Sequence, residues 1–284
     1  MTQGCLIFAH DSTIDYGSQA VLAGRLAKKH LGCSITLVAD AQTIKSVKDK
    51  FSQLPFEHII NVDRPATTNQ RLLAVDNTDK QETVSFINGN RASAYDITPY
   101  DRTLVIDSDF LIFSSELNKY WDDEHDFLIN AGMLDLAENM DPTGYDVGPD
   151  SIPMMWATNI MFSKTAETKM LFDLVNTVKE EYLYFSQLYN FDPRQYRNDF
   201  AFSIACHIMS GHSTDQWQGI LPSPILIKDT DQVINVNKDR MVFLAKQISA
   251  NTDWLINTSN QDIHLMNKRA ILDNFDSLME FVDD

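Results

Sequence analysis

The feature that most constrains the fold is a short apolar run that leads directly into two aspartates. The run is Thr103 to Ile106. Asp107 and Asp109 follow it at alternate positions, before a second apolar run, Phe110 to Phe113. The first run is too short and too uniformly apolar for a surface helix, so it predicts a strand that is buried on both faces. An interior strand that ends in acidic residues places charge where burial is costly, unless a cation is bound there.

Two interpretations of Asp107 and Asp109 are open. Carboxylates are hard oxygen ligands, and they suit Mg²⁺ or Mn²⁺ that is held together with the phosphates of a substrate. Alternatively, the two residues end the strand in an ordinary solvated turn, with Asp as turn former. Apolar runs on both sides fix the pair at the edge of a core, which favours the metal site.

Strand and helix patterns alternate before this run. Apolar runs at Cys5 to Ala9, Ser34 to Ala39 and Ile59 to Val62 predict strands, and Tyr16 to Leu31 and Ala41 to Phe51 between them predict helices. This alternation is typical of an α/β fold with a mostly parallel sheet, in which ligands bind at the carboxyl ends of the strands. The polar residues that fall at that edge are His10, Asp11, Asp40, Asp63, Asp107 and Asp109.

The rest of the chain predicts further elements around irregular segments. Residues 64–88 predict a surface excursion, and Met133 to Met155, with three prolines and two glycines, predicts a long loop. The predicted helices are Gly89 to Tyr95, Ser114 to Trp121, Thr165 to Tyr189, Phe200 to Met209 and Lys268 to Val282. The predicted strands are Phe127 to Ile129, Trp156 to Phe162 and Pro222 to Ile227. The sequence shows no repeat and no linker, so we expect one domain.

Composition limits the partners and the compartment. The 284 residues carry a net charge of −17 with no basic run, which argues against nucleic acid or an anionic membrane as partner. A nucleotide is not excluded, because a divalent ion can neutralise its phosphates. The three cysteines show no metal-ligand spacing, and the apolar surroundings of Cys5 and Cys206 predict that these two are buried, reduced thiols. There is no signal peptide and no apolar run long enough for a transmembrane segment, so we expect a cytoplasmic protein.

Several segments, taken in order, resemble a known class of enzymes. Leu104 to Ile112 is an aliphatic strand that runs into an Asp-x-Asp motif. The other matching segments are Asp15 to Gly17 with the helix after it, Arg91 ahead of Tyr95 and Tyr100, Ala157 to Phe162 around Asn159, Asn198 with Asp199, and His264 to Lys268. This order is similar to that of GT-A glycosyltransferases, particularly the glycogenin and lipopolysaccharide-galactosyltransferase-like family.

The resemblance implies a GT-A-like fold and a reaction. A hexose would move from a nucleotide sugar, with a UDP sugar as donor, to an acceptor that the sequence does not identify (a sugar, a lipid-linked glycan or a protein). Retention at the anomeric carbon is implied. Residues 1–113 would form the nucleotide-binding part of a single domain, and residues 114–284 the part for donor sugar and acceptor.

The resemblance also implies roles for individual residues. The cofactor would be Mn²⁺ or Mg²⁺, with Asp107, Asp109 and His264 as its ligands. The nucleotide-binding residues would be His10, Asp11, Asp15, Tyr16, Arg91 and Ser108, and Lys268 would bind phosphate. The donor sugar would contact Asn159, Asn198 and Asp199, and the catalytic residues would be Asp107, Asp109 and Asp199.

Two alternatives remain open at this stage. The first is a haloacid-dehalogenase-like phosphatase with Asp107 as nucleophile and Asp109 as general acid. However, Leu111 stands where that motif has Thr or Val, and the strand is not N-terminal. The second is a nucleotide-sugar-binding protein without turnover. It is motivated by Phe200, which follows Asp199 where the family has Gln, and by the lack of the family's Gly after His264.

Overall fold

The structure is a computed structural model that describes residues 1–64, 69–74, 81–87, 91–136, 145–213, 215–237, 240–247 and 252–283. The strands are β1 (Gln3–Ala9), β2 (Ser34–Ala39), β3 (His58–Asn61), β4 (Asn69–Ala74), β5 (Gln81–Phe86), β6 (Arg102–Asp107), β7 (Phe110–Leu111), β8 (Phe127–Asn130), β9 (Trp156–Ser163), β10 (Gly219–Leu221), β11 (Ile225–Ile227), β12 (Gln232–Asn237), β13 (Arg240–Gln247), β14 (Thr252–Thr258) and β15 (Ile263–Leu265). The α-helices are α1 (Tyr16–Leu31), α2 (Ala41–Lys50), α3 (Ala94–Ile97), α4 (Ala166–Glu180), α5 (Tyr182–Leu188), α6 (Asn198–Met209), α7 (Lys268–Asp273) and α8 (Phe275–Asp283). Short 3₁₀ helices span Arg91–Ser93 and Glu116–Tyr120.

The central sheet has seven strands in the order β10-β8-β9-β6-β1-β2-β3. β1 pairs in parallel with both β2 and β6, β2 with β3, and β8 with β10. Only β9 runs antiparallel, to β6 on one side and β8 on the other. The predicted α/β fold with a mostly parallel sheet is therefore confirmed.

Side chains alternate between two apolar layers along the central strands. Cys5 and Ile7 of β1 pack into one layer together with α1, whereas Leu6 packs into the other. The second layer includes Leu171 of α4 and Phe202 of α6. Because successive residues of a strand point to opposite faces, strands covered by helices on both sides must be apolar at every position. This explains why the run before Asp107 contains no polar alternation.

The connections of β1 place a crevice at one edge of the sheet. β1 lies between β2 and β6, so the chain order reverses there, and its register aligns Phe8 with Val38 and with Asp107. The residues that follow these three strands therefore start from neighbouring points. In parallel sheets, ligands bind in the crevice that forms at such a reversal.

A second, three-stranded sheet fixes the C-terminal segment against the segment that follows Asp107. Its order is β11-β15-β7, with His264 opposite Phe110 and Ile263 opposite Leu111. The backbone N–H of Leu265 donates to the carbonyl of Asp109 at 3.0 Å. This pairing was not predicted from the sequence, although both strands lie in predicted site segments.

Local sequence signals predicted the first two helices, with the bounds of α1 exact and the end of α2 one residue too late. α1 begins where Asp15 caps it, since Asp15 Oδ1 accepts the N–H of Ser18 at 2.9 Å. It ends at Gly32, whose φ of 63° lies in the left-handed region that glycine adopts without strain.

The bounds of three other predicted elements differ from the structure. The predicted helix 165–189 is two helices that meet at Glu181, and the predicted helix 268–282 is divided at Asn274. The predicted strand 222–227 is shorter than expected: only Ile225–Ile227 forms a strand, β11, and Pro222 and Pro224 lie in the segment that separates it from β10.

Two further expectations were wrong or incomplete. Residues 64–88 were expected to lack regular structure, yet β4 and β5 pair as an antiparallel two-stranded sheet. β12, β13 and β14 form another antiparallel sheet that was not predicted. In the expected loop 133–155, the described residues form isolated bridges at Leu134 and Asp146. Residues 137–144 of that loop lie outside the described residues.

Within the described ranges, no helix is both long and apolar enough to cross a membrane.

The carboxyl of Asp262, the residue before β15, accepts hydrogen bonds from the segment that follows β7, and its burial predicts a pH dependence of stability. Burial raises the pKa of this carboxyl from 3.8 to about 6, although N–H groups of Phe113 and Ser114 donate to it. Between about pH 4 and about pH 6, the carboxyl of Asp262 is therefore protonated in the folded state and ionised in the unfolded state. Over this range the carboxyl lowers the free energy of unfolding as pH rises, by on the order of 1 kcal/mol for a partly exposed group.

We expect Asp262→Asn to remove this dependence while keeping an oxygen acceptor for the two N–H groups. Urea unfolding at a series of pH values should show the mutant gaining stability relative to the wild type from about pH 4 to about pH 6. Asp253→Asn, at an exposed position of β14, is the matched control. A wild-type-minus-mutant difference that does not change with pH would contradict the assignment.

Candidate active site

A cavity of about 330 Å³ opens at the carboxyl ends of β1 and β6 and the amino end of the antiparallel strand β9. It gathers most of the residues that the sequence predicted for the site. Those that line it are His10, Tyr16, Arg91, Asp107, Ser108, Asp109, Asn198, Asp199, His264 and Lys268. They come from five separate parts of the chain, and the crevice beside β1 brings them together.

Three residues of this cavity form a group that can hold a metal ion. Asp107, Asp109 and His264 each offer one ligand atom, and these atoms lie within 4.8 Å of one another. Asp107 ends β6, Asp109 lies two residues further on, and the pairing of β15 with β7 places His264 beside them. His264 Nε2 is 3.4 Å from Asp109 Oδ2. Two carboxylates and one imidazole are a donor set that suits a small divalent cation.

The imidazole of His264 is oriented from its other side. Thr158 Oγ1 lies 3.4 Å from His264 Nδ1, and both side chains are buried. In the tautomer with the proton on Nδ1, the ring donates to Thr158 and carries its lone pair on Nε2, the nitrogen nearer Asp109. Hydrogen bonds of this kind fix the tautomer and the orientation of metal-binding histidines.

Each of the two carboxylates contacts a buried cationic side chain. A guanidinium nitrogen of Arg91 contacts Asp107 Oδ1, and Lys268 Nζ contacts Asp109 Oδ2. Arg91 also donates to the carbonyl of Ala157, and burial lowers the pKa of its guanidinium to about 10. Because an unpaired buried charge is strongly destabilising, these contacts make the two aspartates tolerable inside the fold.

The first turn of α6 forms another wall of the cavity. Asp199 Oδ1 accepts the N–H of Ala157 on β9 at 2.8 Å, and Asp199 Oδ2 lies 3.2 Å from a guanidinium nitrogen of Arg197. The carboxylate is therefore held between a strand backbone and an arginine. Asn198, the first residue of the helix, is buried and lines the same cavity.

The end of the cavity next to β1 is built around a buried carboxylate. His10 Nδ1 lies 3.1 Å from Asp40 Oδ2, and Arg64 reaches the same oxygen at 3.1 Å. Burial alone would raise the pKa of Asp40, but the N–H of Thr43 and the ring of His10 hold it below its ordinary value. Tyr16, the first residue of α1, lines the cavity near this group.

Asp11 and Asp15, predicted to bind nucleotide, do not line the cavity. Asp11 Oδ1 accepts the N–H of Gly17 at 2.8 Å, and Asp15 caps α1 and pairs with Lys50. Burial raises the pKa of Asp11. For Asp15, hydrogen bonds from Lys50 and Ser18 outweigh burial and lower the pKa. Both carboxylates contact the start of α1 and lie outside the lining of the cavity, so a role in nucleotide binding stays a prediction for these two residues.

Asn159, which was predicted to contact the donor sugar, does not line the first cavity either. It is fully buried, and it lines a second cavity of about 220 Å³ together with Phe110 and Asp262, whereas its neighbour Thr158 lines the first cavity. Side chains alternate along β9, so adjacent residues face opposite sides of the sheet. The sequence identified a strand that borders the first cavity, but Asn159 lies on the opposite face of that strand, and its contact with a donor sugar stays a prediction.

Sequence reasoning missed Thr158, Tyr196 and Arg197, all of which line the cavity. Trp156 also lines the cavity, and alternate residues of a strand lie on the same face, so the pattern would have predicted Thr158 two positions after Trp156. Tyr196 and Arg197 directly precede the predicted pair Asn198 and Asp199 and carried no signal of their own.

Comparisons with known proteins give structural likeness only. No protein-family model and no curated protein matches this chain. The glycosyltransferase GlyE of Streptococcus pneumoniae TIGR4 is similar in structure, at 11% identity and a TM-score of 0.45, over 78% of this chain and 45% of GlyE. The apo form of GlyE gives 11% identity and a TM-score of 0.44 over the same shares. An active-site mutant of LgtC gives 15% identity and a TM-score of 0.43, over 71% of this chain and 69% of LgtC. This chain spans less than half the length of GlyE.

The metal group predicts a specific loss of cation binding. We expect His264→Leu, which removes the imidazole nitrogens and keeps an apolar side chain, to weaken Mn²⁺ binding by roughly tenfold or more. Isothermal titration calorimetry of Mn²⁺ into both proteins, each in the presence of saturating UDP, measures this change. His125→Leu is the matched control, because His125 is partly exposed, pairs with Asp123 and does not line the cavity. Equal Mn²⁺ affinities of His264→Leu and the wild type would remove His264 from the ligand set.

Proposed function

We propose that this chain is a metal-dependent glycosyltransferase that moves a hexose from a nucleotide sugar, with a UDP sugar as donor, to an acceptor sugar, lipid-linked glycan or protein. The observation that carries the proposal is the grouping of Asp107, Asp109 and His264 within 4.8 Å, at the sheet edge where α/β folds bind ligands. The cavity beside this group, of about 330 Å³, is of a size that suits a small-molecule ligand.

The proposed reaction requires stabilisation of a departing nucleoside diphosphate. A divalent cation at Asp107, Asp109 and His264, Mn²⁺ or Mg²⁺, would supply Lewis-acid stabilisation of that leaving group. Lys268 and Arg91 are buried cationic donors of the same cavity, so they are placed to hydrogen-bond phosphate oxygens. Positive groups that are fixed before the reaction stabilise the developing charge without reorganising.

The nucleotide would bind along the part of the cavity next to β1. Tyr16 has a flat amphipathic ring that can stack on a base, and His10 is held by Asp40 at 3.1 Å. Ser108 lies between the two aspartates and lines the same cavity. In this proposal the base and the diphosphate would bind at adjacent sites, with the metal group at the diphosphate.

The donor sugar would bind against α6. The acidic side chains in the described lining of the cavity are Asp107, Asp109 and Asp199, and only Asp199 lies outside the metal group. Asp199 and Asn198 can hydrogen-bond sugar hydroxyls from this wall. Retention at the anomeric carbon is proposed from the family resemblance. Asp199 is the carboxylate that would lie beside the sugar without being a metal ligand.

The proposal predicts donor turnover that depends on Asp109. The purified chain with Mn²⁺ should transfer or hydrolyse the sugar of at least one member of a panel of UDP sugars, measured as UDP release. Asp109→Asn should lower kcat by about 100- to 1000-fold, because it weakens stabilisation of the leaving group. Asp253→Asn, on the exposed face of β14, is the control and should keep the wild-type rate.

Three results would redirect the proposal. Release of phosphate from an aryl phosphate without any UDP release would support the phosphatase alternative. Saturable UDP binding without turnover across the panel would support a binding protein. Turnover that is unchanged in Asp109→Asn would contradict the role of the metal group.

A further inference from the structure

Lys268 occupies a place that a bound metal ion would need. Its Nζ contacts Asp109 Oδ2, the same oxygen that lies 3.4 Å from His264 Nε2. Both Lys268 and Asp109 are buried, with 7% and 4% of their surface exposed. The ammonium group therefore contacts one of the three candidate ligands from a buried position.

We propose that Lys268 is a displaceable counter-ion of the metal site. Without metal, the ammonium group of Lys268 neutralises Asp109. When metal and donor bind, the side chain of Lys268 moves, and its ammonium group contacts the diphosphate instead. Metal and nucleoside diphosphate then bind cooperatively. This inference rests on the proposed function, and it concerns the order and coupling of binding at the same site.

The local charges explain why the metal alone should bind poorly. Asp107 and Asp109 are matched by Arg91 and Lys268, so the group is neutral before any ligand enters. A divalent cation added to this neutral, buried group brings an excess positive charge, and it separates Lys268 from its partner. A diphosphate supplies the missing negative charge, and it offers the ammonium a new anionic partner.

Lys268 and Arg91 differ in their freedom to move. Arg91 is tied to the carbonyl of Ala157 as well as to Asp107, and its guanidinium is planar. Lys268 has a flexible four-carbon stem with a compact charge. Its backbone is fixed, because its carbonyl accepts a hydrogen bond from Gln19 at 3.2 Å and Asn267 caps α7. Movement of Lys268 is thus confined to the side chain, which lines the cavity.

The test compares Mn²⁺ binding with and without UDP, in the wild type and in Lys268→Met. The electron paramagnetic resonance signal of free Mn²⁺ reports binding and does not depend on turnover. In the wild type, UDP should tighten Mn²⁺ binding by about tenfold or more, within the usual range of coupling between two sites. In Lys268→Met, Mn²⁺ alone should bind about fivefold or more tighter than in the wild type, and UDP should tighten it by less than about threefold.

Arg197→Met is the matched control. Arg197 lines the same cavity but contacts Asp199 instead of a metal carboxylate. Its loss removes one positive charge from the cavity, so it measures the general electrostatic effect. We expect the Mn²⁺ affinity of this variant, without UDP, to stay within about twofold of the wild type, since a partly exposed charge is screened.

The outcomes separate this inference from the proposed function. If Lys268→Met binds Mn²⁺ no tighter than the wild type and keeps the full effect of UDP, the counter-ion role is overturned while the metal site stands. The same holds if Arg197→Met tightens binding as much as Lys268→Met. If the wild type shows no saturable Mn²⁺ binding even with UDP, the proposed function fails, and the inference fails with it. Lys268→Gln replaces Lys268→Met should circular dichroism show that the methionine variant does not fold.

Discussion

The pairing of two short strands, β7 and β15, is the constraint on which the site depends. Asp109 and His264 are distant in sequence, and the Leu265 N–H that donates to the Asp109 carbonyl at 3.0 Å holds their backbones together. The ligand group can therefore form only in the folded chain, after the loop entropy of bringing these segments together has been overcome. A ligand that binds only the folded state stabilises it, so occupation of this group and stability of the fold are linked.

Local charge balance in the cavity differs from the net charge of the whole chain. The chain carries a net charge of −17, yet the described lining of the cavity holds three carboxylates and three Lys or Arg side chains. Arg91 and Lys268 make the metal carboxylates tolerable without a cation, and the same two side chains are the donors that a diphosphate would meet. Stability of the site without metal and the proposed affinity for a diphosphate would therefore draw on the same contacts, and the proposed displacement of a counter-ion rests on this geometry.

The sequence predicted those parts whose signals are local, because burial on both faces and helix caps are local properties. The bounds of α1 and β2 agree with the prediction, and Asp107 and Asp109 lie at the predicted sheet edge. It failed where the answer depends on register or on tertiary contacts. Asn159 lies on the face of β9 away from the first cavity, because an offset of one residue reverses the face of a strand. The unpredicted β12-β13-β14 sheet exposes large apolar residues such as Trp254, so the alternation of its strands does not follow a simple inside-outside pattern. The proximity of His264 to Asp109 could be expected only from the resemblance, since no local signal links two strands as short as β7 and β15.

The most direct measurement is the anomalous scattering of Mn²⁺ in crystals of this chain grown with Mn²⁺ and UDP. The account predicts one strong peak within ligand distance of Asp107, Asp109 and His264, with the diphosphate of UDP bound at the same ion. A peak at another position, or an ion at the two aspartates with His264 turned away from it, would contradict the central claim.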